Sequence, residues 1–225
     1  MSNRTSYKLT PAILLRAYAA GIFPMANNAA SKELRWFDPP IRAIIPLDEH
    51  FHIPRRLKRT IRHRPFTIKF DASFRDVMLA CAAPRPDHPE TWINNEIVRL
   101  YTELHHMGHA HSIEAWQDNQ LVGGLYGVSL GTAFFGESMF SRVTDASKIA
   151  LVYLVALMRY CGLTLLDTQF QTDHLARFGT FEITRDHYHH LLTVALQEEA
   201  KLKPPPDDGW HHLVAGALQP TSHIS

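Results

Sequence analysis

The stretch TDASKIALVYLVALMRYCGLTLLDTQF constrains the fold of this chain more than any other. TDASKIALVYLVALMRYCG reads as one long helix, capped by Thr144 or Asp145 and stopped by Gly162. LTLLDTQF follows as a mostly apolar strand, the pattern of a central strand buried on both faces. Upstream, HSIEAWQ and QLVGGLYGVSL flank Asp118-Asn119, a hairpin signal, and GTAFFGESMF gives a third strand that runs into a loop at Ser141. An antiparallel meander therefore leads into a βαβ unit, and the expected class is mixed α/β. A short helix around DHLARFG, a strand FEITR and a helix DHYHHLLTVALQEEA come next. The tail from Lys203, with Pro204, Pro205 and Pro206, is expected to be a loosely packed extension.

The first third has a different texture. Thr10-Pro11 opens a short helix that ends at Gly21, with Thr10 as N-cap and Pro11 at the first helical position. ELRWFDPPIRAIIPL contains short strands broken by Pro39, Pro40 and Pro46. FTIKFD alternates as a strand, SFRDVMLACAA reads as a helix, and residues 84–90 form a loop. NNEIVRLYTELHHMG is a helix capped by Asn94 or Asn95, with Ile97, Leu100, Tyr101 and Leu104 as its apolar face and Gly108 as its stop. The expected division is a small N-terminal α+β domain over 1–65, a larger domain over 66–203 and an extension over 204–225.

A formal net charge of +1 hides an asymmetry. Residues 1–65 hold 12 Lys+Arg against 4 Asp+Glu, and the other 160 residues hold 11 against 18, so the halves stand at +8 and −7. This suggests a polyanion contact in one place and a cationic partner in another. The basic half peaks in HIPRRLKRTIRHRP. On a helix after Pro54, Arg55, Lys58, Arg59 and Arg62 share a face, with Arg56 and Arg64 beside them. A phosphate backbone would relieve their repulsion. A solvated basic surface whose acidic partners lie elsewhere in the fold is the alternative.

Several classes are set aside. Two cysteines, Cys81 and Cys161, allow neither a disulfide framework nor a four-cysteine zinc site and fit a reducing cytosol. The apolar stretch Ala12–Ala20 is too short to span a bilayer and is interrupted by Arg16, so a cytoplasmic protein without a membrane partner is expected. Seven of the fifteen histidines cluster at His105–His111 and His187–His190, but without HExxH or an accompanying cysteine, so no metal is expected. GxSxG, P-loop and Rossmann fingerprints do not occur.

Two segments carry candidate chemistry. In LLDTQFQTDHL, Asp167 and Gln169 lie two apart on a buried strand, which projects both from one face. A buried acid is costly unless paired, so Asp167 is either a structural partner of an Arg or a turn, or half of a carboxylate–amide pair at a pocket edge. In FFGESMFS, Glu137 stands in an apolar stretch without an adjacent Lys or Arg, either solvated at a strand end or placed to receive a cationic group.

The runs AAGIFPM, WFDPPIRAIIPL, TWINNEIVRLYTELHHMGHAHSIEAW, LVGGLYGV, GESMFSRVTDASKIAL and LLDTQFQTDHLARFG, in order over most of residues 17–190, resemble the bacterial leucyl/phenylalanyl-tRNA–protein transferases. The resemblance implies an aminoacyltransferase that moves Leu, Phe and less readily Met from aminoacyl-tRNA to proteins with an N-terminal Arg or Lys, marking them for the N-degron route. It implies two domains, the second similar to GNAT acetyltransferases, and no cofactor. It puts catalytic or substrate roles on Glu137, Asp167 and Gln169, and an aminoacyl pocket on Trp92 and Tyr101. Met25 is added to that pocket because some members carry Trp there. The basic segment from Arg55 to Arg64 would then meet tRNA, and a monomer is expected.

The chemistry fits. An aminoacyl ester is already activated, and an α-amine with a pKa of roughly 7.7–8.0 is partly neutral at pH 7, so positioning supplies much of the acceleration. Gln169 would orient that amine, while Asp167 would fix Gln169 or accept a proton. An acyl-CoA N-acyltransferase is the first alternative, but FSRVTDASK lacks the glycines of a pyrophosphate-binding turn. A non-enzymatic RNA-binding module is the second; it leaves Glu137, Asp167 and Gln169 unexplained.

Overall fold

The structure is a computed structural model that describes residues 9–31, 33–84, 90–206 and 209–218. Helix α1 (Pro11–Ala19) starts where Thr10 accepts the Ile13 amide. Strands β1 (Phe23–Ala26) and β2 (Leu34–Phe37) pair as a separate two-stranded ribbon. The proline-bounded IRAII forms β3 (Ile41–Ile45). Then come α2 (Arg55–Arg62), β4 (Thr67–Phe70), α3 (Phe74–Ala82) and α4 (Asn95–His106), the last capped by Asn94 through the Ile97 amide. The meander is β5 (Ala110–Gln117), β6 (Gln120–Leu130) and β7 (Ala133–Ser141). Its first turn places Asp118 and Asn119 at φ 50° and 60°, the left-handed pair that a two-residue hairpin needs. Helix α5 (Ala146–Cys161) crosses over to β8 (Leu165–Gln169), which runs parallel to β7. Helix α6 (Asp173–Ala176), β9 (Phe181–Thr184), α7 (Arg185–Ala195) and α8 (Gly209–Leu218) complete the described chain.

The fold is mixed α/β. One seven-stranded sheet runs β4-β5-β6-β7-β8-β3-β9, antiparallel at every step except β7–β8. Strand β3 comes from residues expected to belong to a separate N-terminal unit, yet it lies between β8 and β9. The segments before and after residue 65 therefore share one sheet.

The core has two parts. On one side, Leu14, Tyr18, Val77, Ile97, Leu100 and Leu104 bury α1, α3 and α4. On the other, every residue of α5 from Ile149 to Met158 is buried, so this helix needs cover on its outer face as well. Leu57 and Ile61 of α2 supply part of that cover. Val214 and Trp210 of α8 supply more, Trp210 meeting the Tyr153 ring edge-on at 5.9 Å. Here the structure departs from the expected loose tail: an apolar α5 recruits it. Gly162 at φ 76° turns the chain from α5 into β8, a conformation that costs glycine little.

Candidate active site

Strands β7 and β8 pair only from Ala133 to Phe135 and from Leu165 to Asp167. Beyond that, β7 stays with β6 as far as Ser141, whereas β8 follows β3 across a bulge at Ala43/Ile44. The chain leaves β8 at Gln169, whose φ of 58° is left-handed. The strands part, and a cavity of about 580 Å³ occupies the cleft. Leu125, Leu151, Leu154 and Leu166, all buried, form its apolar inner wall. Met25, Trp92 and Phe170, which keep partial or full exposure, also line it.

Asp167 lies beneath this cleft and is fully buried. Arg42 donates Nη2 to its Oδ2 at 2.6 Å and Nε to its Oδ1 at 3.0 Å. Tyr188 donates its hydroxyl to Oδ2 at 2.8 Å, and the Gln169 backbone amide donates to Oδ1 at 2.8 Å. Asp167 does not line the cavity, whereas Gln169 does. The expectation that both project from one face of the strand fails because the left-handed φ of Gln169 breaks the period of two. Asp167 holds Gln169 through its backbone, and its own carboxylate is saturated with donors. Arg42 is equally buried, gives Nη1 to the Gly21 carbonyl at 2.9 Å, and lies 4.8 Å from the Phe23 ring centroid and 4.2 Å from that of Tyr188.

Glu137 lines the cavity from β7 and keeps partial exposure. Tyr18 donates to its Oε1 at 2.7 Å and Tyr101 to its Oε2 at 3.3 Å, while the two hydroxyls also bond each other. Burial pushes the Glu137 carboxyl from its ordinary 4.5 up to about 7; the Tyr18 bond opposes that shift, and the nearby Asp167 charge adds to it. The same burial, with the Glu137 charge alongside, holds the Tyr18 and Tyr101 phenols well above their ordinary value.

The predicted residues are only partly brought together. Glu137, Gln169, Trp92 and Met25 line one cavity. Tyr101 does not: it is fully buried and reaches the site through Glu137. Sequence reasoning missed Tyr18, Arg42 and Tyr188. Arg42 carried the one available signal, a lone cation in the apolar run IRAII. Five of the six basic residues lie on α2 and Arg64 just past its end; Arg55, Arg56, Arg59, Arg62 and Arg64 are exposed and Lys58 partly so. None of the six has an ion-pair partner among the described residues. Helix α2 packs on α5, the helix that lends Ser147, Leu151 and Leu154 to the cavity. Among the described residues, no helix is long and apolar enough to cross a membrane.

Comparison with known proteins identifies the chain as an enzyme, a transferase. The family model described as leucyl/phenylalanyl-tRNA protein transferase matches residues 44–193, and the model of that family's N-terminal domain matches residues 7–40. A leucyl/phenylalanyl-tRNA–protein transferase of Paramagnetospirillum magneticum is 56% identical over 192 residues, covering 85% of this chain and 91% of the relative. One from Phenylobacterium zucineum is 59% identical over 187 residues, covering 83% and 84%. This chain belongs to the leucyl/phenylalanyl-tRNA–protein transferase family. Among solved structures, FemX overlaps with a TM-score of 0.49 at 14% identity, over 80% of this chain and 70% of that one.

Proposed function

We propose that this protein transfers Leu and Phe, and less readily Met, from aminoacyl-tRNA to the N-terminal Arg or Lys of acceptor proteins, marking them for N-degron degradation. We take it to act as a cytoplasmic monomer without a cofactor. The observation that carries the reading is the cleft between β7 and β8. It joins a buried leucine-lined wall, suited to one Leu or Phe side chain, to a carboxylate at Glu137 and a carboxamide at Gln169.

The donor side chain enters between Leu125, Leu151 and Leu154, with Trp92 and Met25 closing over it and Tyr101 fixing the depth of the slot from behind Glu137. The neutral acceptor amine attacks the ester carbon. A C–N bond forms, the C–O bond to the ribose breaks, and the amine's surplus proton ends on the released ribose hydroxyl. Gln169 orients the attacking amine. Asp167 acts as a positioning residue that, locked by Arg42 and Tyr188, fixes the backbone of Gln169. Glu137 receives a substrate ammonium. Arg55, Arg56, Lys58, Arg59, Arg62 and Arg64 contact tRNA phosphates, and their lack of ion-pair partners among the described residues supports this. The acyl-CoA reading is set against this one by experiment: radiolabelled Phe-tRNA or acetyl-CoA is incubated with an Arg-initiated and an Ala-initiated peptide. Label on the Arg-initiated peptide from Phe-tRNA alone is expected. Transfer from acetyl-CoA, or equal labelling of both peptides, would overturn the assignment.

A further inference from the structure

Three side chains on the cavity wall present buried polar atoms without a hydrogen-bond partner among the described residues: the Tyr126 hydroxyl, Nε2 of Gln169 and Nε2 of His174. Tyr126 is fully buried, whereas His174 keeps partial exposure. Gln169 already has a role in the proposed reaction, and His174 has none. An unpaired buried polar atom costs free energy in the empty site, so its retention points to a bond made with a ligand.

His174 is held in place. It lies on α6, whose N-cap Thr172 accepts the Leu175 amide, and its ring rests 6.1 Å from that of Phe178. Burial lowers its pKa, and the charges of Lys148 and Arg177 lower it further against the opposing pull of Asp145. The ring is therefore neutral at pH 7, one nitrogen donating and the other accepting. Its cationic neighbours disfavour an Arg or Lys N-terminus and suit the polyanionic donor. The donor group that matches a neutral imidazole is an uncharged hydroxyl, and the one nearest the reacting ester is the ribose hydroxyl adjacent to it.

We propose that His174 is a further substrate-contacting residue, its Nε2 hydrogen-bonded to the free 2′-hydroxyl beside the 3′-aminoacyl ester, so that the ester carbon is held facing Gln169. His174 moves no proton in this role. The inference rests on the function proposed above, and the test separates the two. Single-turnover transfer of Phe to an Arg-initiated peptide is measured for the wild type, His174→Ala and His174→Gln, with donors ending in either adenosine or 2′-deoxyadenosine. Inactivity of the wild type with the normal donor would sink the function itself. If the wild type is active, His174→Ala is expected to slow turnover roughly tenfold, the loss of one uncharged hydrogen bond, with tRNA affinity nearly unchanged because phosphate contacts dominate it. His174→Gln, which can return a donor or acceptor near Nε2, should recover part of the rate. The deoxy donor should slow the wild type to a similar degree and His174→Ala no further. Full turnover by His174→Ala, or multiplicative losses from the variant and the deoxy donor, would overturn the contact.

Discussion

Arg42 Nη2 stands 2.6 Å from Asp167 Oδ2, and both side chains are closed to solvent. The pair joins adjacent antiparallel strands, β3 and β8, whose residues lie 125 apart in sequence. Arg42 also grips the Gly21 carbonyl, so one guanidinium connects the end of α1, the middle of the sheet and the floor of the cleft. Such a pair gains little over an apolar equivalent while intact but is costly to break, because the survivor stays buried and charged.

Arg42→Ala is accordingly expected to cost about 3–5 kcal/mol of stability. Asp167→Asn keeps shape and strands the guanidinium instead. The double variant should lose less than the sum of the two, by roughly 0.5–3 kcal/mol, because neither charge is left alone. Urea unfolding of the four proteins measures this. Additive losses would show that the two side chains do not stabilise each other.

Glu137 gives a pH signature. Because burial favours its neutral form, the folded protein binds this proton more tightly than the unfolded chain does. Stability from this group is therefore complete below the ordinary value of 4.5, falls as pH rises toward about 7, and is level above that. The steepest slope is about 1.4 kcal/mol per pH unit, an upper bound because Glu137 keeps partial exposure. Glu137→Gln should flatten that interval. If the ionised carboxylate receives a substrate amine, transfer should rise with an apparent pKa near 7. Tyr18→Phe, by removing a bond that favours the ionised form, should move this limb to higher pH. An unmoved limb in Tyr18→Phe would assign it to another group.

The exposed face of α2 predicts a salt effect. Replacing Arg55 and Arg59 with Ala should lower the slope of log affinity against log salt by about 0.7–0.9 for each phosphate that is no longer neutralised. The thermal midpoint should change little, since neither side chain is buried and neither has an ion-pair partner among the described residues. Filter binding of Phe-tRNA between low and moderate salt tests this, and an unchanged slope would exclude the patch.

Much of this fold was legible because its signals are local. Asn94, Gly162 and the Asp118-Asn119 turn each fix one element boundary within a few residues. Glu137 and Gln169 were legible as polar residues in apolar runs. What stayed hidden depends on distant pairing. Nothing local in IRAII says that β3 enters the main sheet or that Arg42 meets Asp167. Tyr18 reads as an ordinary apolar position of α1, and only the packing of α1 on α4 brings its hydroxyl to Glu137. The alternation rule misplaced Asp167 because a single left-handed residue resets a strand's facing.

The leucine-lined wall predicts donor selectivity. Leu154→Phe should narrow the slot and lower transfer from Phe-tRNA relative to Leu-tRNA, by the ~1–3 kcal/mol that pocket fit ordinarily controls. Val-tRNA and Ile-tRNA, branched at Cβ, should be poor donors to the wild type. Competition between labelled donors measures both effects, and equal use of Val and Leu would show that the side chain sits elsewhere.

Gln169 allows backbone and side chain to be tested apart. Its φ of 58° is a conformation that costs a residue with a Cβ roughly 1–2 kcal/mol, and glycine avoids that cost. The Asp167 contact uses the backbone amide, so Gln169→Gly keeps it while deleting the carboxamide from the cavity. Unfolding measurements should find Gln169→Gly at least as stable as the wild type, allowing for the glycine's greater freedom when unfolded. Transfer to an Arg-initiated peptide should fall by about 10²-fold or more, the loss expected when a positioned polar group at the reacting centre is removed. Gln169→Asn tolerates the left-handed backbone and keeps a carboxamide one methylene shorter, so it should be stable and intermediate in rate. A stable Gln169→Gly protein with normal turnover would mean that the strained residue serves only to open the cleft and that its side chain takes no part in transfer.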